Sequence, residues 1–298
     1  RLERLLAAGE VGVRGVERER ARARLDEAVA RAREIARPAL FARAVLARVY
    51  RTEIVGLSDS HTVDLLAEAL AMLGDASPAL AAALRSRRAI ELRYAPGGSA
   101  EALREVEEAI ALARRSGGPG ALAAALEDAS LVRWSVEDPE AWLALNREIA
   151  AAAREGNDTE LLFLGVKGIA TAHLELGDRP AFDEEMERCE QIAEAHPSPL
   201  LRAVVSGLRG ARAFLDGDLD AAERFAIEGA SAGLDSVTPL AAGQLYYHRL
   251  ETGRLAETLD AVRSFAAESP GIAIWPIASA RALVACGSTN EARAALRS

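Results

Sequence analysis

One lysine, two cysteines, two methionines and 4% aromatic residues are what 298 positions hold of these types. Each scarcity excludes something. The two cysteines, Cys189 and Cys286, are far apart and sit in helical patterns, so buried thiols are expected and a disulfide or redox pair is not. The single lysine, Lys167, lies in FLGVKGIA inside a helical pattern, and no GxxxxGK[ST] phosphate loop occurs anywhere. Arginine carries nearly all the positive charge, which reads as a coding bias. No apolar run approaches the ~20 residues a membrane-spanning helix needs. The opening RLERLLAAGE lacks the apolar core and cleavage site of a signal peptide. A soluble, cytoplasmic protein without membrane contact is expected. The four histidines, His61, His173, His196 and His248, have no partner at i+3 or i+4, so no helical metal pair is formed, no metal or other cofactor is expected, and surface or capping roles are expected for them.

The net charge of −9 argues against direct nucleic-acid contact, because phosphate binding needs a local cationic surplus. The arginine-rich run RGVERERARARLDEAVARAREIAR has acids interleaved at Glu17, Glu19, Asp26, Glu27 and Glu34 and reads as a solvated helix face. Half of the residues are hydrophobic. With so few aromatics, that share is mostly Ala, Leu and Val, and the first two are strong helix formers. The composition predicts an almost wholly helical chain, and the length allows either two compact domains or one repeat array.

Repetition decides between these in favour of the array. RPALFARAVLA, SPALAAALRSR, GPGALAAALED, NDTELLFLGVK, PSPLLRAVVSG and VTPLAAGQLYY open successive helical patterns near Pro38, Pro78, Gly120, Thr159, Pro199 and Pro239, in steps of 40, 42, 39, 40 and 40 residues. Proline at the first helical position loses no hydrogen bond, and Ser77, Asn157, Ser198 and Thr238 are able to cap the helices they precede. Each unit divides at a polar or glycine turn, such as ELGDRP or LDGDLD, before a second helix. Neither helix can bury its apolar stripe alone. The pattern therefore predicts an all-α, right-handed solenoid of antiparallel helix pairs, about fifteen helices in a single domain over 1–298. Arg1 stands where an initiator methionine would be and NEARAALRS stops inside a helical pattern, so a fragment of a longer protein is expected.

In LRGARAFLDGDLDAAERF, Gly210, Gly217 and Ala222 fall where tetratricopeptide repeats keep their small first-helix residue, turn glycine and second-helix alanine. The repeats resemble that family, although the period exceeds its usual 34 or so residues. As a whole, the ordered segments LLAEALAMLGDASPALAAALRSRRAIELRYA, ALEDASLVRWSVEDPEAWLALNREIAAAAREGND, AHLELGDRP and RAFLDGDLDAAERFAIEG resemble the C-terminal helical region of large bacterial signal-transduction ATPases. These include relatives with LuxR-type DNA-binding or cyclase-like domains. The resemblance implies a non-catalytic regulatory arm that takes a small-molecule effector or a protein or peptide partner and is joined to an ATPase module in the same parent chain. A freestanding repeat scaffold for peptides or proteins is the alternative.

No catalytic site is expected. GASAG, Gly229 to Gly233, fits G-x-S-x-G around Ser231, but that elbow needs a strand before the serine, and here a helix ends. The acidic run FDEEMERCE reads as an exposed helix face, and Trp134, Trp142 and Phe182 as packing anchors. Binding is expected on the concave side, formed by the first helix of each pair. The repeat period generates one column through Arg87, Glu127, Lys167, Gly207 and Tyr247, and another through Glu91, Leu131, Thr171, Ala211 and Glu251. The polar members Arg87, Glu91, Glu127, Lys167, Thr171, Tyr247 and Glu251 are the candidate groove residues. Glu160, Lys167, Thr171 and Glu175 share one stripe of a single helix.

Overall fold

The structure is a computed structural model that describes residues 6–7, 18–49, 60–95, 97–133, 138–196, 198–232, 238–268 and 274–297. Trp134 and Gly233 lie outside them. Among the described residues there are fifteen α-helices, one 3-10 turn and no strand. Their contacts group into two compact units, one up to Glu185 and one from Met186 onward. The first holds α1 (Arg18–Glu34), α2 (Pro38–Arg48), α3 (Ser60–Leu73), α4 (Pro78–Arg93), α5 (Ser99–Ser116), α6 (Pro119–Arg133), α7 (Pro139–Glu155) and α8 (Thr159–Glu175). Helix α9 (Arg179–Ala195) is divided between the units. The second holds α10 (Pro199–Leu215), α11 (Leu219–Ala230), α12 (Thr238–Glu251), the 3-10 turn Leu255–Thr258, α13 (Leu259–Glu268), α14 (Ile274–Ala285) and α15 (Thr289–Ala295). No described helix is long and apolar enough to cross a membrane.

The turns explain why the apolar pattern keeps breaking. At Gly217 the backbone enters the left-handed region, φ +77°, where a side chain would clash. The Asp218 N–H then reaches back to the Ala213 carbonyl (3.0 Å) and the Gly217 N–H to that of Phe214 (3.1 Å), so the last carbonyls of α10 are satisfied. The Asp218 carboxylate immediately accepts from the Ala221 N–H (2.9 Å) and starts α11. One aspartate thus ends one helix and begins the next. Gly177 and Asp178 repeat the arrangement between α8 and α9, with φ +74° and a 2.8 Å bond from the Asp178 N–H to His173. Between α7 and α8 an asparagine replaces the glycine: Asn157 sits at φ +53°, and Asp158, not Asn157 as the sequence suggested, caps α8 through Leu161 N (2.9 Å). Asparagine tolerates the left-handed conformation, and the acid beyond it is then correctly placed. Ser77 caps α4 as expected, whereas Ser198 makes no side-chain cap bond.

Packing distinguishes two kinds of helix. In the first unit α4 packs against α3 and α5 and also against α2 and α6, while α6 touches α4, α5, α7 and α8. Helices α3, α5 and α7 pack extensively only on their chain neighbours. The sequences follow. Helix α5, with one buried face, shows it as Ala102, Val106, Ala109, Ile110 and Ala113, at helical spacing. Helix α4 is enclosed from several directions and buries Ala81, Ala82, Leu84, Ala89, Ile90 and Leu92, which share no single stripe. On its outer side Arg88 bonds Glu101 and Glu105, and Arg85 reaches Glu105 and Glu108, tying α4 to α5. In the second unit α10 likewise touches α12 as well as α11.

Helices α7 and α8 approach each other closely. A Cβ built on Gly165 would lie 2.8 Å from the Ala150 nitrogen, and backbone cannot move aside as a flexible side chain can. At Gly168 it would instead meet the amide end of Asn146, which is buried and donates to the Trp142 carbonyl (2.9 Å). Around Gly210 the nearest atom is 3.4 Å away. Several smaller expectations need correction. Cys189 is buried but Cys286 is exposed, because α14 turns it outward at its C-terminal end. His248 is only 2% exposed and so takes no surface role. Phe182 is fully buried and Trp142 half-buried, while the acidic run on α9 is partly covered rather than uniformly exposed.

Gly165→Ala should therefore destabilise the protein, since overpacking costs about 1–3 kcal/mol and exceeds the roughly 1 kcal/mol of helix propensity gained. Gly210→Ala should be neutral or stabilising, whereas Gly210→Leu, forced against Phe225 and Ala222, should lower stability. Urea unfolding midpoints of the three variants check the opposite signs.

Candidate functional site

Where first helices meet in the first unit, a cleft of about 340 Å³ opens between α4, α6 and the start of α8, with Leu46 of α2 at its edge. Its polar wall is formed by Ser86 and Arg87 of α4, Glu127 and Asp128 of α6, and Asp158 and Glu160 of α8; Leu46, Ala83, Ala124 and Leu161 supply apolar surface. Two of the candidate groove residues, Arg87 and Glu127, are thus brought to one cavity.

These side chains are not loosely solvated. Arg87 is 9% exposed and Glu127 6%, with Ser86 and Asp128 also buried. The Ser86 hydroxyl donates to one Asp128 oxygen at 2.7 Å, and Arg87 Nη2 lies 3.6 Å from the other. A buried carboxylate is tolerated when hydrogen-bonded and faced by a countercharge, as here. Asp158 spends one oxygen on the Leu161 N–H, and both Asp158 and Glu160 sit at the N-terminal end of α8, where the helix dipole favours negative charge. Behind the cleft the Ser130 hydroxyl donates to the Glu127 carbonyl (2.8 Å) and Trp142 Nε1 to the Ser130 carbonyl (3.4 Å). The Trp142 bond couples α6 to α7.

The remaining candidates are elsewhere. Glu91, Lys167 and Thr171 are half-buried in the first unit and do not line the cleft. The Thr171 hydroxyl is engaged with its own helix, 3.1 Å from the carbonyls of both Lys167 and Gly168. Tyr247 and Glu251 belong to the second unit and are exposed, with the Tyr247 ring edge-on to Tyr246 at 5.8 Å. Their neighbourhood carries a different polar node. His248 Nε2 is 3.9 Å from Glu223, which also takes Arg254 (3.1 Å), and Arg254 in turn holds Glu257 (3.0 Å). Hydrogen bonding from Arg254 keeps the Glu257 carboxyl below its ordinary range. Ser231 ends α11, and its hydroxyl donates back to the Ile227 carbonyl (2.8 Å). Among the described residues no three His, Cys, Asp or Glu side chains are placed to hold a metal ion.

Sequence reasoning passed over Ser86, Asp128 and Asp158. Ser86 and Asp128 flank the chosen column by one residue, 42 positions apart, and that near-repeat interval was the available signal.

Asp128→Ala should cost roughly 2–4 kcal/mol, because it removes the acceptor of a buried hydroxyl and a countercharge of a buried guanidinium. Asp128→Asn, which can still accept from Ser86, should cost less, and Glu160→Gln should shift stability by no more than ~0.5 kcal/mol. Thermal unfolding of the three variants tests this order. No family model matches the chain, and no curated protein matches it.

Proposed function

We propose that the chain is a right-handed, tetratricopeptide-like solenoid with a period near 40 residues, acting in the bacterial cytoplasm as the regulatory arm of a signal-transduction ATPase. Its first helices form the concave side. An effector or a protein partner binds there, and occupancy is transmitted to the ATPase module. The observation that carries this reading is the cleft at α4, α6 and α8, which Arg87 and Glu127 from successive first helices both line. Its volume is near the lower end for small-ligand sites, about 300–1,000 Å³. The resemblance of the ordered repeat segments supplies the ATPase setting.

Two measurements test it. The purified chain alone should release no phosphate from ATP above the buffer blank, and sustained hydrolysis would remove the regulatory reading. The coding sequence on either side should encode a phosphate-binding loop; start and stop codons at these same boundaries would favour the freestanding scaffold instead.

A further inference from the structure

The lining of the first-unit cleft carries four carboxylates, those of Glu127, Asp128, Asp158 and Glu160, against the single guanidinium of Arg87. Arg87 faces Asp128, and Ser86 donates to the same carboxylate. The cleft lining is thus net negative in a partly enclosed space, where low-dielectric walls focus the field. A metal ion does not answer this charge, since no three ligating side chains among the described residues converge on one point. The acids share a lining of about 340 Å³ with the apolar side chains of Leu46, Ala83, Ala124 and Leu161. Carboxylates beside aliphatic surface suit a charge carried on a hydrocarbon stem.

We propose that this cleft binds an organic cation, an ammonium or guanidinium on a short aliphatic stem. The stem lies against Leu46, Ala83, Ala124 and Leu161, and the charged head is held by Glu127 and Glu160, with Asp158 completing the negative wall. The proposal rests on reading the first-helix face as the binding surface. The same chemistry is offered by a free polyamine and by a basic side chain of a peptide. Arg87 faces Asp128, so its charge is offset within the lining, and rejection of a carboxylate ligand comes from the surplus of acids.

The test follows the alanine methyl resonances of the intact chain, with Ala83 and Ala124 reporting on the cleft. The probes are putrescine and agmatine as free amines, the peptide acetyl-Gly-Arg-Gly-amide, and n-butanol and butyrate as neutral and anionic counterparts. One or more cationic probes should shift both methyls saturably, with affinity falling as salt rises. Glu160→Gln and Glu127→Gln should each weaken that binding about tenfold, roughly the loss of one favourable charge interaction. Glu160 is half-buried at a helix start, so its variant keeps the test sound if Glu127→Gln fails to fold. Free amines binding without the peptide would assign a polyamine-like ligand, and the reverse a basic peptide. Butanol or butyrate shifting the methyls as strongly as the cations would overturn the proposal while leaving the face a binding surface. Cationic binding unchanged by both substitutions would also overturn it. No shift from any probe would remove the cleft from both readings.

Discussion

A helix that must touch four others has little face left for water, and much of the first unit follows from that crowding. Helices α4 and α6 are enclosed by their own hairpin partners and by first helices on either side, so their buried residues lie all round, alanines beside Leu84, Ile90, Leu92 and Leu126. On α5 the buried residues keep to one stripe, with Val106 and Ile110 among them. Where even alanine is too large, at the α7 and α8 seam, glycine takes its place. The scarcity of aromatics and the abundance of small residues express the same geometric limit, because closely spaced helices leave gaps that methyl groups fill.

Crowding also accounts for the buried charge. A polar residue on a first helix cannot simply turn to water when neighbouring helices cover it, so it has to find a partner across the seam. Ser86, Arg87 and Asp128 satisfy one another between α4 and α6, and the cleft lies beside them. The cleft is a place where this packing does not quite close, at the point where α8 begins with two acids instead of apolar residues. Its character therefore depends on helix-start chemistry as much as on repeat spacing. Asp158 is there to cap α8, and it contributes to the cleft wall as a consequence.

The helices themselves were legible because their signals are local. Proline at a first helical position and an Asp-Gly-Asp turn act within a few residues, and α2, α4 and α10 begin at the prolines that announce them. The substitution of Asp158 for Asn157 as the cap was missed because either residue can cap, and only the left-handed backbone at 157 decides. The candidate site was legible in part. A repeat count brings Arg87 and Glu127 to the right pair of helices, but the direction of a side chain on a crowded helix depends on the angle at which its neighbours cross, and a count cannot supply it. Hence Ser86 and Asp128, one residue away, escaped notice, and Lys167 and Thr171 were grouped with a cleft they do not line. The burial of His248 was invisible for the same reason, since its contact with Glu223 is made across a seam between helices.

The seam at Gly165 and Ala150 has a mechanical consequence. Two helices that meet backbone against backbone cannot slide or rotate past each other without collision, so α7 and α8 behave as one stiff body. Helices spaced by side chains can shift by small rotations of those chains. The start of α8, where Asp158 and Glu160 stand, is therefore braced by α7 within about two helical turns of the cleft.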